Sequence, residues 1–247
     1  KLRGISGTLQ GFLWVGPTAT VTIRYTEFTL LGSATANKRG IDVQVTTGTF
    51  DMQFSSVHDF TVSTSLGVNH SGLTSGTVTI SSNVFYNNAG GHYVNAVMSG
   101  AGYTLNGNLA ILTTSSGGAW YGFQLLDVSG TFTNNSVSGS AGQGFYLNEA
   151  AALGTFSGNT AHSNASVGIH LNSSPTGVST MTNTIAWRNS LDAIRLQGNF
   201  VQGNALILDG LVAFGNLGQQ ILSNGVIRPS STYPGLWIKT AVLSGDT

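Results

Sequence analysis

The sequence has no cysteine and only four prolines in 247 residues. The missing cysteine excludes disulfides, thiolate metal sites and thiol nucleophiles. A domain of this size can do without disulfides even outside the cell. Charge is almost as scarce. Lys and Arg total nine, Asp and Glu total nine, and charged residues make up 7% of the chain. An average soluble domain has roughly 25%. Nine scattered cations are too few for a phosphate-neutralising face, so no nucleic-acid partner is expected. No apolar run approaches the ~18 residues of a membrane span, so no membrane insertion is expected in this segment. Hydrophobic residues still reach 40%. Low charge with that much apolar content is the opposite of a disordered composition.

What fills the gap is small and polar. The chain holds 34 Gly, 28 Ser, 29 Thr and 20 Asn. These residues disfavour helix interiors, which predicts an all-β protein. The length fits one large all-β domain, taken here as residues 1–247. The chain opens at Lys1 and closes on Ser244-Gly245-Asp246-Thr247. The expectation is a fragment of a longer chain, because neither Gly11-Phe12-Leu13-Trp14 nor the stretch from Pro229 to Trp237 reads as a polar cap.

The strongest signal is an internal repeat. Asn83-Val84-Phe85-Tyr86-Asn87-Asn88 matches Asn159-Thr160-Ala161-His162-Ser163-Asn164, and Asn183 to Asn189 matches with one insertion. Asn108, Asn135 and Gly210 complete the series, so the anchors fall at 83, 108, 135, 159, 183 and 210. Out of phase with them runs a second element: Gly122-Phe123-Gln124-Leu125, Gly144-Phe145-Tyr146-Leu147, Gly168-Ile169-His170-Leu171 and Ala193-Ile194-Arg195-Leu196. Gly40-Ile41-Asp42-Val43 has the same form. Its alternation is that of a strand with one buried face. Val78-Thr79-Ile80, Gly154-Thr155-Phe156 and Ser179-Thr180-Met181 mark a third strand.

Short strands repeating every ~25 residues predict a right-handed, single-stranded parallel β-helix of about eight or nine rungs, each of ~22–29 residues. A propeller blade needs a period of ~40 or more. Stacked rungs put equivalent positions ~4.8 Å apart. There the anchors Asn83, Asn108, Asn135, Asn159 and Asn183 are expected to form amide ladders. A charged residue would face its own copy, which accounts for the low charge.

The order of these segments resembles the β-helix region of the G8-domain proteins. That group includes fibrocystin (polyductin) and the cell-surface hyaluronidases with a G8 domain; flagellar mastigoneme proteins are built on similar solenoids. The resemblance runs from Ile23-Arg24-Tyr25-Thr26-Glu27-Phe28-Thr29 through Ser55-Ser56-Val57-His58-Asp59-Phe60 and Gly91-His92-Tyr93-Val94 to Gly168-Ile169-His170-Leu171, covering roughly residues 20 to 220. It implies a parallel β-helix, an extracellular or cell-surface location and a large multidomain chain. The hyaluronidase members carry histidines in the segment that here reads Lys38 to Val45, and an acidic pair after the segment that here reads Gly91-His92; this chain has neither. The chemistry of those enzymes is therefore not carried over, and no catalytic residue is assigned.

Read from the residues alone, chemistry is sparse. Glycan hydrolysis needs two placed carboxylates. The nine acids, Glu27, Asp42, Asp51, Asp59, Asp127, Glu149, Asp192, Asp209 and Asp246, are dispersed. His58 and Asp59 are neighbours, but adjacent strand residues point to opposite faces, so the pair reads as a surface turn. His162 and His170 lack a third ligand, so neither metal nor other cofactor is expected. Gly117-Gly118 lacks the Lys of a phosphate loop. Trp120, Trp187 and Trp237 read as core or corner residues. The middle positions Gln124, Tyr146, His170 and Arg195 should stack as one outward row, with Asp42 and Tyr93 further along the same sheet. Tyr146, His170 and Arg195 are the candidate glycan-binding strip. Asn69, Asn134, Asn164 and Asn172 begin sequons and are candidate glycosylation sites. The resulting expectation is a non-catalytic extracellular structural or adhesive solenoid. Its partners would be extracellular proteins, glycans or further copies stacked axially into filaments. A polysaccharide hydrolase or lyase, or a glycan-binding module, is the alternative.

Overall fold

The computed structural model describes residues 2–3, 11–33, 35, 38–60, 66–71, 75–88, 94–97, 102–113, 121–126, 130–148, 153–172, 177–198, 204–224 and 236–244. Its strands form two long parallel sheets. The first has nine strands, one per coil; Gly40–Val43, Phe123–Leu126, Phe145–Asn148 and Ile169–Leu171 are among them. The second has seventeen strands and draws two from most coils, for example Thr131–Thr133 and Ser136–Ser138. Each strand pairs with its counterpart one coil away. Partners lie from 22 residues apart (Phe123 with Phe145) to 31 apart (Asp209 with Thr240).

Inward columns make the core. Met52, Ile80, Leu105, Phe132, Phe156 and Met181 form one. Val57, Phe85, Ala110, Val137, Ala161 and Ala186 form another. All twelve are buried. Where the first column carries Phe132 or Phe156, the second carries the smaller Val137 or Ala161, and where the first carries Ile80 the second carries Phe85. Phe145 packs edge-on against Phe156 at 5.6 Å.

Two bends per coil hold the second sheet in shape. The residue at the first bend has positive φ in eight successive rungs: Tyr25, Phe54, Ser82, Gly107, Asn134, Gly158, Asn183 and Gly210. The residue after the second strand does the same at Leu30, Asp59, Asn87, Gly139, Ser163, Arg188 and Gly215. Each bend is followed by a small polar residue in most rungs, and these form ladders. After the first bend, Asn83, Asn108, Asn135 and Asn159 are linked in sequence. The backbone N–H and the Nδ2 of each donate to the Oδ1 of the next, at 3.0–3.1 Å. After the second bend, Asn164, Asn189 and Asn216 repeat the pattern at 2.8–3.2 Å.

Two expectations change here. Asn183 is not a ladder anchor. Thr160 pairs with Ile185, so the residue level with Asn159 is Thr184, and Asn183 occupies the exposed bend. The insertion inferred from the sequence disappears, because Thr184 to Asn189 aligns with Asn159 to Asn164 residue for residue. Asn164 is also unsuited to carry a glycan, since it is fully buried within the second ladder.

Candidate functional site

The predicted row exists in register, Trp14, Asp42, Asn69, Asn95, Gln124, Tyr146, His170, Arg195 and Leu222, but it does not face outward throughout, because Asp42 is fully buried. Tyr93 lies outside the described residues, as do His92, Trp120, Asp127, Glu149 and Asp246. The row is largely spent on itself. Tyr146 stacks face to face on Tyr121 at 4.4 Å and meets His170 edge-on at 5.3 Å. His170 is only 5% exposed and its Nε2 bonds Gln197. Arg195 is held by Asp192 at 2.7 Å. Burial pushes the His170 imidazole below its usual range; Arg195 adds to this, while Gln197 and Asp192 oppose it. Tyr146, His170 and Arg195 are thus brought together, but one Tyr146 face, His170 Nε2 and the Arg195 guanidinium are already engaged, and the partnerless His170 Nδ1 is buried.

A second row runs down the other sheet and was not foreseen. His58, Tyr86, Ile111, Ser138, His162, Trp187 and Phe214 are register partners on consecutive rungs. His58 stacks on Tyr86 at 4.3 Å, His162 on Trp187 at 4.5 Å and Trp187 on Phe214 at 5.7 Å. Arg188 lies over the Trp187 ring at 5.2 Å. Trp187 is therefore a surface ring rather than a core residue. Trp237 is also corrected, at 50% exposed on Leu236–Leu243. The sequence does hold the signal: read from Thr184, Trp187 falls at the position of Tyr86 and His162.

The first rungs bring together what the sequence kept apart. The bend at Asp59 has φ 58°, which swings its carboxylate back alongside the strand Ser56–His58. His58 Nδ1 then meets Asp59 Oδ2 at 2.8 Å, and His58 Nε2 meets Glu27 Oε1 at 3.2 Å. The expectation that His58 and Asp59 face apart fails, because alternation stops at a left-handed bend. Asn87 also donates to Asp59. Partial burial opposes the charge on Asp59, but the bonds from His58 and Asn87 hold its carboxyl below the ordinary range. A cleft of about 400 Å³ adjoins this trio and is bordered by Arg3. A second, of about 480 Å³, shares Glu27 and is walled by Phe54. Tyr25 and Phe54 stack at 5.4 Å and are 80% and 49% exposed.

Of the remaining sequons, Asn134 is exposed at a first bend. Asn69 donates to Asp42 at 3.3 Å and Asn172 to Asn148 at 3.2 Å.

Residues 112–225 match the family model described as a right-handed β-helix region. No curated protein and no solved structure matches the chain. Fold and match together define the class: an all-β, right-handed parallel β-solenoid.

Proposed function

We propose that this chain is a rigid, non-catalytic solenoid module of an extracellular or cell-surface protein. It acts as a spacer or adhesive segment in a surface, matrix or mastigoneme-like filament structure. The observation that carries this reading is the pair of buried amide ladders, which bind coil to coil through side chains as well as backbone. Nine stacked strands span roughly 40 Å at ~4.8 Å per rung. The resemblance to G8-domain proteins supports the extracellular setting. The exposed apolar side chains of Trp237, Ile238, Val242 and Leu243 support axial packing against further coils or copies. Small-angle scattering and negative-stain imaging test the rod. A stiff particle of the computed length is expected, and a flexible or globular one overturns the reading.

A polysaccharide-active enzyme is the second reading, favoured by Glu27, His58 and Asp59 meeting beside a cleft. Carboxylates on a groove are what glycosidic chemistry requires. Depolymerisation of hyaluronan or pectin that disappears in Glu27→Gln would establish it over the structural one. Unchanged viscosity and no new reducing ends would remove it.

A further inference from the structure

We propose that the cleft over Phe54 is a subsite for one neutral pyranose unit of an oligosaccharide, and that it discriminates against uronic acids. Four observations carry this.

The first is strain. Tyr25 and Phe54 occupy first-bend positions with φ of 51° and 52°. Later rungs mostly put Gly or Asn there, as at Gly107, Asn134 and Gly158. A bulky residue in this region costs ~1–2 kcal/mol. Strain of that kind is retained where it places a side chain for use.

The second is a step in the stack. Tyr25 covers one face of Phe54, but the next bend residue is Ser82, which is too small to cover the other. The cleft opens at this step, with Phe54 as its wall and Ser56, Ser82 and Val84 around it. At Trp187, by contrast, both ring faces are covered, by His162 and by Phe214.

The third is chemical fit. A pyranose has one face of C–H groups and a rim of hydroxyls. An open ring face and Val84 suit the first, while serine hydroxyls and the Glu27 carboxylate suit the second.

The fourth is charge. Among the described residues, Glu27 is the one ionisable group lining this cleft apart from Tyr25; it is bonded to His58, with Asp59 beyond. Arg3 borders the adjoining cleft instead. No Lys or Arg among the described residues lines the Phe54 cleft, so a uronate carboxylate would meet the Glu27 carboxylate with no guanidinium or ammonium to bind it, whereas a neutral sugar would offer hydroxyl donors.

Calorimetric titration of the full chain tests this. The probes are tetrasaccharides of glucose, mannose, galactose and N-acetylglucosamine, with tetragalacturonate, every unit of which is a uronic acid, for comparison. At least one neutral probe should bind, and more tightly than tetragalacturonate. Ser82→Tyr continues the ring stack at a bend that already accepts aromatics, so the fold should survive while the cleft fills. It should weaken binding by about tenfold or more. Phe54→Asn, suited to the same backbone, should do likewise, and Glu27→Gln should narrow the gap between neutral and acidic probes. No binding by any neutral probe, stronger binding of tetragalacturonate, or unchanged affinity in both Ser82→Tyr and Phe54→Asn would each overturn the proposal. None of these results touches the rod reading, which scattering decides separately.

Discussion

The described parts of residues 1–59 and of residues 60–126 form coils of one kind but are built from different chemistry. The first segment holds nine of the eighteen charged residues; the second holds none. In the uncharged rungs, the position after the first bend is Asn83 and Asn108, continuing to Asn135 and Asn159, and each amide makes bonds both along and across the stack. In the charged rungs that position is Thr26 and Ser55. The Thr26 N–H donates to Ser55 Oγ and the Ser55 N–H to Asn83 Oδ1, with no amide-to-amide bond. Charge is tolerated there because like charges are never register partners among the described residues. Arg24 faces Gln53, Glu27 faces Ser56, and Asp42 faces Trp14 and Asn69. Arg24 instead reaches the Asp51 carboxylate in the next coil. The difference teaches that ladders and chemistry are alternatives: the two clefts described centre on the rungs of Thr26 and Ser55, where the amide stack has lapsed.

The largest test of that contrast is Asn135→Ala against Ser55→Ala. Asn135 is fully buried; it donates to Leu105 O at 2.8 Å and Asn159 Oδ1 at 3.0 Å, and accepts twice from Asn108. Each buried group left unpaired costs about 1–3 kcal/mol, so roughly 3–5 kcal/mol in total is expected. Ser55→Ala removes one acceptor and one donor, for roughly 1–2 kcal/mol. Urea unfolding measures both. Equal losses would mean the two regions are held alike.

Acid sharpens the comparison next. His70 is fully buried at an inward position, level with Val43, and its Nε2 donates to Val45 O at 3.1 Å. Burial lowers its pKa, with the Val45 bond and the nearby Asp42 opposing. Below the unfolded value of ~6.5 the unfolded chain binds a proton that the folded chain refuses. Stability is therefore complete above that pH and falls as pH drops, by at most ~1.4 kcal/mol per unit for this one group. Asp59 acts in a lower window. Its folded pKa is depressed, so its contribution is present above ~4 and lost as pH falls through the folded value. Urea midpoints from pH 7 to 5 should fall in the native chain, and His70→Leu should make that limb shallower, with His170 and His162, also lowered by burial, supplying the remainder. An unchanged slope would show that His70 is not the group responsible.

The solenoid was legible because a rung cannot hide its period. Phe123, Phe145, Ile169 and Ile194 recur in one short motif, and the structure stacks them in that order. The row Gln124, Tyr146, His170 and Arg195 followed from the same alternation. The clefts were not legible, because they depend on backbone sign rather than on side-chain period. Nothing in the string His58-Asp59 says that Asp59 sits at φ 58°, and the alternation rule placed its carboxylate on the wrong side. Tyr25 and Phe54 were passed over for the same reason: a bend that takes Gly in one rung and Phe in another leaves no residue pattern. The aromatic row was obscured by a single misplaced anchor, which moved Trp187 off the position of His162.

That anchor also gives the smallest and most exacting test. Asn159 and Asn183 look equivalent in sequence, yet one is buried in a ladder and the other lies exposed at a bend with φ 49°. The side chain of Asn183 lies against Gly210, whose added Cβ would come within 2.6 Å of its Oδ1. Glycine adopts the left-handed region freely, so Asn183→Gly should change stability by no more than about 0.5 kcal/mol. Asn183→Val, a β-branched residue forced into the same conformation, should cost about 1–2 kcal/mol. Asn159→Ala, by contrast, removes the acceptor for the Asn135 N–H at 3.0 Å and the donor to Phe132 O at 2.8 Å, and should fall in the range of Asn135→Ala. If urea unfolding instead finds Asn183→Gly as costly as Asn159→Ala, then the ladder runs through residue 183 and the register drawn from Ile185 onward is one residue out. Two substitutions at positions that read alike in sequence thus separate a residue kept for its amide from one kept for its backbone.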